Sequence, residues 1–138
     1  RRVFVTHSED EGMSWTEPEE ITWDVKRENW TWYATGPGAG IQIEHGPHRG
    51  RLVIPCDHIE AETQDRYSHI FYSDDGGETW ALGGRTPQPG VNECEVVELT
   101  GGQLMLNMRN HRTDSGRNDR TDSAEPCSPA SRLHGSPA

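Results

Sequence analysis

The sequence predicts an all-β chain of four-stranded antiparallel blades, about two blades plus part of a third of a β-propeller. Three observations carry that expectation. The string Ser73-Asp74-Asp75-Gly76-Gly77-Glu78-Thr79-Trp80 has a second copy in Ser8, Asp10, Gly12, Ser14 and Trp15, so the chain holds an internal repeat. A β-rich run precedes each copy, Arg2-Val3-Phe4-Val5-Thr6 and His69-Ile70-Phe71-Tyr72. One signature per four-strand unit is the mark of radial repetition, and closed propellers have about four to eight blades.

Each copy reads as a hairpin turn with its own fastening. The Asp accepts hydrogen bonds from turn amides, the Gly takes positive φ, the hydroxyls cap what remains, and the Trp is buried beneath. Arg2 to Thr6 is then the third strand of a truncated blade, and the Ser8 to Trp15 turn leads to a fourth strand near Glu19 to Trp23. Trp30, Trp32 and Tyr33 are expected in a loop, packing between blades, with a sugar-stacking platform as the weaker alternative. The run Thr35 to Gly40 is glycine-rich, but no helix pattern and no Lys-Ser/Thr follow, so the context excludes a phosphate loop.

Ile41-Gln42-Ile43 alternates as a strand, Gly46-Pro47-His48-Arg49-Gly50 reverses the chain, and Leu52-Val53-Ile54 returns to end at Cys56-Asp57-His58. Glu60 to Tyr67 is a polar connection before Ser68 to Tyr72 and the second signature. After Pro87-Gln88-Pro89-Gly90, Glu95 to Leu99, the turn Thr100-Gly101-Gly102 and Leu104 to Met108 form the clearest hairpin. No Met begins the chain, and Val3-Phe4-Val5 reads as mid-strand, so the N-terminal boundary is expected to be a cut. Residues 1–112 make up the expected partial propeller. Residues 113–138, rich in Ser, Pro, Asp and Arg, are expected to be a disordered or aberrant polar tail, because they cannot bury enough apolar surface to offset ordering entropy.

Composition narrows the partners. Lys plus Arg number 13 against 23 Asp plus Glu, a net charge of −10, and no basic stripe interleaves with aromatics, which argues against nucleic acid. Nothing approaches the roughly 18 uninterrupted apolar residues of a membrane helix, and no signal-peptide core is present. With the N-terminus expected upstream, that absence says nothing of secretion. The 3 cysteines, Cys56, Cys94 and Cys127, have no ligand-like spacing and cannot all pair within the chain; Cys56 and Cys94 read as small strand-end residues. No metal is expected, since His58 has no plausible third zinc ligand.

In an up-and-down blade the start of strand one and the end of strand two share one end of the sheet, opposite the turn between strands three and four. The repeated signatures Ser8, Asp10, Gly12, Trp15 and Ser73, Asp75, Gly77, Trp80 are therefore scaffolding. The rim to search comprises Thr35 to Gly38, Asp57, His58, Asn92, Glu93 and Arg109. Glu93 and Arg109 lie symmetrically about Gly101, which would set them across from one another on one face. That arrangement fits an exposed ion pair worth under about 1 kcal/mol as well as it fits a functional site. Asp57 and His58 are candidates for touching substrate hydroxyls, against the plainer reading of a solvated loop His beside an Asp.

The repeated string resembles the Asp box of the sialidase (neuraminidase) superfamily, which non-catalytic propellers also carry. Asn92-Glu93-Cys94-Glu95-Val96-Val97-Glu98-Leu99 with Gly102-x-Leu104 and Asn107-x-Arg109-Asn110 resembles the active-site hairpin of exo-α-sialidases. Gly36-Pro37-Gly38-x-Gly40-Ile41 and Gly50-Arg51-Leu52-Val53-x-Pro55 resemble the bacterial members. The resemblance covers Arg2 to about Arg112. It implies a six-bladed propeller, a retaining hydrolase acting on a sialylated glycan, no cofactor, and a secreted or periplasmic setting. It implies that Glu93 is the base that activates a Tyr nucleophile, and that Arg109 is the middle one of three arginines holding the sialic acid carboxylate. The Tyr, the acid Asp and the other two arginines have no match here, so the isolated chain is expected to be inactive. A carbohydrate-binding or purely structural Asp-box propeller is the alternative.

Overall fold

The computed structural model describes residues 1–111. The tail expected from Thr113 onward, and the aberrant reading of it, lie outside the described residues.

Among the described residues, nine strands and one helical turn follow each other as β1 (Phe4–Val5), β2 (Glu19–Glu20), α1 (Thr22–Val25), β3 (Trp30–Thr35), β4 (Ile41–Gln42), β5 (Leu52–Glu60), β6 (Arg66–Ser73), β7 (Ala81–Arg85), β8 (Val91–Leu99) and β9 (Gln103–Asn110). They form three antiparallel sheets: β1-β2, a central sheet ordered β3-β5-β6-β7 with β4 also paired to β5, and β8-β9. The fold is nearly all-β, as the repeat predicts.

Three local expectations are corrected. The strand expected near Glu19 to Trp23 stops after Glu20, and Thr22–Val25 coil into one helical turn. The Thr22 hydroxyl holds that turn in place by accepting the Val3 amide at 2.8 Å. The aromatic trio lies in β3 rather than in a loop, since Trp30 to Thr35 ladder against Glu60 to Cys56 of β5. β3 and β4 thus share the first position of the blade, split by the Gly36 to Gly40 segment. Finally, β5 does not end at Cys56-Asp57-His58 but runs to Glu60, so Cys56 is a mid-strand residue; Cys94 likewise lies within β8, and both are buried free thiols. Burial of the polar His58 against aromatic rings lets the ladder continue where the sequence pattern alone suggests a stop.

Two apolar layers separate the sheets. Val3, Ile21, Val25, Trp30, Tyr33, Cys56 and Phe71 pack between the first unit and the central sheet. Ile43, Val53, Cys94, Val96 and Leu106 pack between the central sheet and β8-β9. Val25 and Val53 are 0% exposed, each contributing about 1.5–3 kcal/mol through removal of apolar surface from water. At one end, Leu52 pairs with Ser73, where the second signature turn begins. Towards the other, Asp57 pairs with Ser68, and the Ser68 hydroxyl donates to the Asn92 carbonyl at 2.6 Å. The start of β8 therefore lies away from the signature turn.

Candidate active-site rim

The β8-β9 ladder keeps a regular register from Leu99 opposite Gln103 back to Cys94 opposite Met108, then shifts before Val91 opposite Asn110. Glu93 falls within that bulge, a common device for re-aiming a side chain. Arg109 Nη1 donates to Glu93 Oε2 at 2.9 Å, both side chains remaining about half exposed. The bulge is braced on both flanks. The Cys94 amide donates to the Gly36 carbonyl at 3.0 Å, and the side chains of His111 and Asn92 are hydrogen-bonded at 2.8 Å.

The pair opens onto a cleft of about 340 Å³ whose lining includes Pro37, Gly38, Glu93, Glu95, Asn107 and Arg109. Glu95 and Asn107 oppose each other across the ladder, one step below Glu93 and Arg109 on the same face. Sequence reasoning missed both as lining residues; the strand alternation starting from Glu93 carried the signal. It also missed why residue 38 is glycine. A Cβ there would lie 2.6 Å from the Glu95 Cβ, a contact that requires the strands to move apart.

Asp57 and His58 part company. Asp57 is 5% exposed and turned to the β8 side, and burial pushes its carboxyl up; Trp32 opposes this by hydrogen bonding, the Glu93 charge adds to it, and Arg66 and Arg1 pull it down. Trp32, half exposed beneath the Arg1 guanidinium, is another rim neighbour that the sequence reading left with the packing residues. His58 differs from expectation: it is 0% exposed, stacked on Trp30 at 3.5 Å on the opposite face of β5, and offers no atom to a substrate hydroxyl.

The two signature turns make the hydrogen bonds that the residue types predict, but the Trp expected beneath each is covered only in the second copy: Trp80 packs against Phe71, whereas Trp15 is 62% exposed. In the first, Asp10 accepts the Ser14 amide at 2.8 Å and the Ser14 hydroxyl at 2.6 Å, while Ser8 Oγ accepts the Gly12 amide at 2.8 Å. The second repeats the set with Asp75, Thr79, Ser73 and Gly77 at 2.9, 2.6 and 2.8 Å. Gly12 and Gly77 take φ of 87° and 103°. Those hydrogen bonds, led by the hydroxyls of Ser14 and Thr79, pull the Asp10 and Asp75 carboxyls down to about 2.

A larger cleft of about 720 Å³, away from the Glu93–Arg109 pair, is lined by Ile41, Val97, Leu99 and Glu98 among others. Its Glu98 carboxylate is already occupied by the Glu44 and His45 amides at 2.7 and 2.9 Å. Of these two clefts, the smaller is lined by both members of an acid–guanidinium pair, Glu93 and Arg109.

A family model described as a BNR repeat-like domain matches residues 1–125. The chain belongs to that family. A sialidase of Bacteroides fragilis is 35% identical over 114 residues, 83% of this chain and 20% of its own length. Human sialidase-3 is 38% identical over 115 residues, 72% of this chain and 26% of the human protein. Among solved structures, a Hadza microbial sialidase, Hz136, superposes with a TM-score of 0.70 at 34% identity, covering 79% of this chain and 20% of that one. This BNR-repeat chain thus has the fold of part of a sialidase propeller, and spans about a fifth to a quarter of the relatives it matches. Among the described residues no helix is long and apolar enough to cross a membrane.

Proposed function

We propose that this BNR-repeat chain contributes one wall of the active site of an exo-α-sialidase, a retaining glycoside hydrolase that releases terminal sialic acid from glycoconjugates. The observation that carries the reading is the 2.9 Å Arg109–Glu93 contact at the mouth of an open cleft. Sialic acid bears a carboxylate on its reacting carbon, so an anionic nucleophile meets repulsion there and a neutral phenol does not. A phenol with a reference pKa of about 10 needs a base beside it, and Glu93 is our candidate for that base. The planar Arg109 fork suits bidentate grip on the substrate carboxylate through an oxocarbenium-like transition state. A guanidinium has five N–H donors, and the Glu93 bond uses one, so Arg109 can hold both carboxylates. Asp57, on β5 of the sheet packed against this hairpin, is the candidate for a substrate hydroxyl.

The Tyr nucleophile, acid Asp and partner arginines have no assigned counterpart in this sequence. The purified 138-residue chain is therefore expected to release no fluorophore from a 4-methylumbelliferyl sialoside. In a complete propeller carrying this segment, Glu93→Gln is expected to lower turnover by about 10²–10⁴-fold. Arg109→Lys is expected to lower turnover and raise KM. Loss of sialoside binding in a propeller without turnover would make it a lectin, and indifference to both substitutions would make the hairpin scaffolding.

A further inference from the structure

Behind the rim, on β5 and β6 of the central sheet, two histidines lie wholly buried and in contact. His58 and His69 approach Nδ1 to Nδ1 at 3.0 Å, both 0% exposed. In that geometry one imidazole donates and the other accepts, and two protons in the gap would confront each other. Neither Nε2 atom has a hydrogen-bond partner. An added proton would therefore bring a cation into an aromatic cage with no acceptor for it.

The surroundings offer little compensation. On β3, Trp30 stacks on His58 at 3.5 Å, and Tyr33 meets the edge of His69 at 5.1 Å. On β6, Tyr67 stacks on His58 at 5.6 Å. The Cys56 thiol shares this face of β5, directly opposite His69 in the ladder. From β7, Arg85 lies over Tyr67 at 4.0 Å and binds Glu60 at 2.6 Å, which occupies the one carboxylate on this side of β5. Burial, then the positive charges of Arg85 and Arg27, hold His58 down to about 3; burial and His58 do the same to His69.

The residues next to the two histidines hold the rim. Ser68 precedes His69 and donates to the Asn92 carbonyl at 2.6 Å. Cys56 lies two positions before His58, and its carbonyl accepts the Cys94 thiol at 3.2 Å. Glu93 sits between Asn92 and Cys94, so both flanks of its bulge rest on the strands that the histidine pair joins.

We propose that the His58–His69 pair is an acid-operated latch: proton uptake by the two imidazoles parts β5 from β6, and with it releases the Ser68–Asn92 and Cys56–Cys94 contacts that position Glu93. The two histidines are positioning residues. The latch stands whether or not the rim cleaves sialosides, because it follows from burial and hydrogen bonding alone.

Histidine side-chain NMR and amide exchange on the full 138-residue chain, from pH 7 to 4.5, test it. The expected result is that His58 and His69 stay neutral below the ordinary 6.5, while protection of the Cys94 amide falls by up to about tenfold per pH unit for each proton taken up on opening. Protection of the Thr79 amide in the signature turn should hold constant. The double variant H58Q/H69Q should lose the pH dependence at Cys94. The proposal is overturned if the two imidazoles titrate near 6.5, if Cys94 protection is flat, or if Cys94 and Thr79 lose protection in parallel, which marks global acid unfolding. Should the double variant fail to fold, the wild-type arms decide alone.

Discussion

The signature turn of the central sheet and the rim of the β8-β9 hairpin solve opposite problems. At the signature turn Ser73 to Trp80, Asp75 and the neighbouring hydroxyls satisfy one another within seven residues, and Trp80 packs edge-on to Phe71 at 5.2 Å. At the rim, Glu93 and Arg109 come from the two strands of one hairpin, 16 residues apart, meet across a bulge, and stay half exposed. The first arrangement stabilises a corner and leaves nothing to bind with. The second adds little stability and keeps a charged pair available, which is the division expected between scaffold and site.

Substitutions should separate the two regions. Trp80→Ala, which strips the ring from beneath the turn, is expected to cost about 3 kcal/mol in urea unfolding. Gly38→Ala, pressed against Glu95 at the rim, is expected to cost about 1–3 kcal/mol by overpacking and to shift the Glu93 and Arg109 resonances. Glu93→Gln should change stability by less than about 1 kcal/mol, since the ion pair is exposed. A larger loss would mean that the rim is structural after all. Trp15→Ala should fall within about 0.5 kcal/mol, because Trp15 is 62% exposed despite sharing its turn chemistry with Trp80.

Acid should sharpen the contrast further. The folded carboxyls of Asp10 and Asp75 lie near 2, below their ordinary 3.8. Their contribution is present above 3.8 and is lost as pH falls from there towards 2. The histidine pair works in a higher window, because its folded values lie below the ordinary 6.5 and stability is lost as pH falls from 6.5 towards 3. A pH series of unfolding midpoints is expected to show a decline that begins near 6.5 and a second that joins it below 3.8, and Asp75→Asn should remove part of only the lower one.

The signature turns were legible because their chemistry is local: Ser73, Asp75, Gly77 and Thr79 need only one another. The Glu93–Arg109 pairing was legible because a hairpin about Gly101 has simple symmetry. His58 was misread because its environment comes from Trp30, Tyr33 and Tyr67, brought together only by the ladders of β3, β5 and β6. The aromatic trio was read as loop for a similar reason, since Trp30 to Thr35 become a strand only once β5 extends to Glu60. Glu95 and Gly38 were passed over because their contact links two separate sheets, and no spacing within either segment encodes it.

Glu98 deserves a last consequence. It grips the amides of residues 44 and 45 and also meets the His45 ring, Nδ1 lying 3.4 Å from Oε1, so the joint between the central sheet and the last hairpin is written mostly in main chain. Position 44 is thereby left free to vary to residues that retain their N–H, and proline is the substitution it must refuse. The constraint has moved 54 residues along the chain, onto a single acidic side chain in β8.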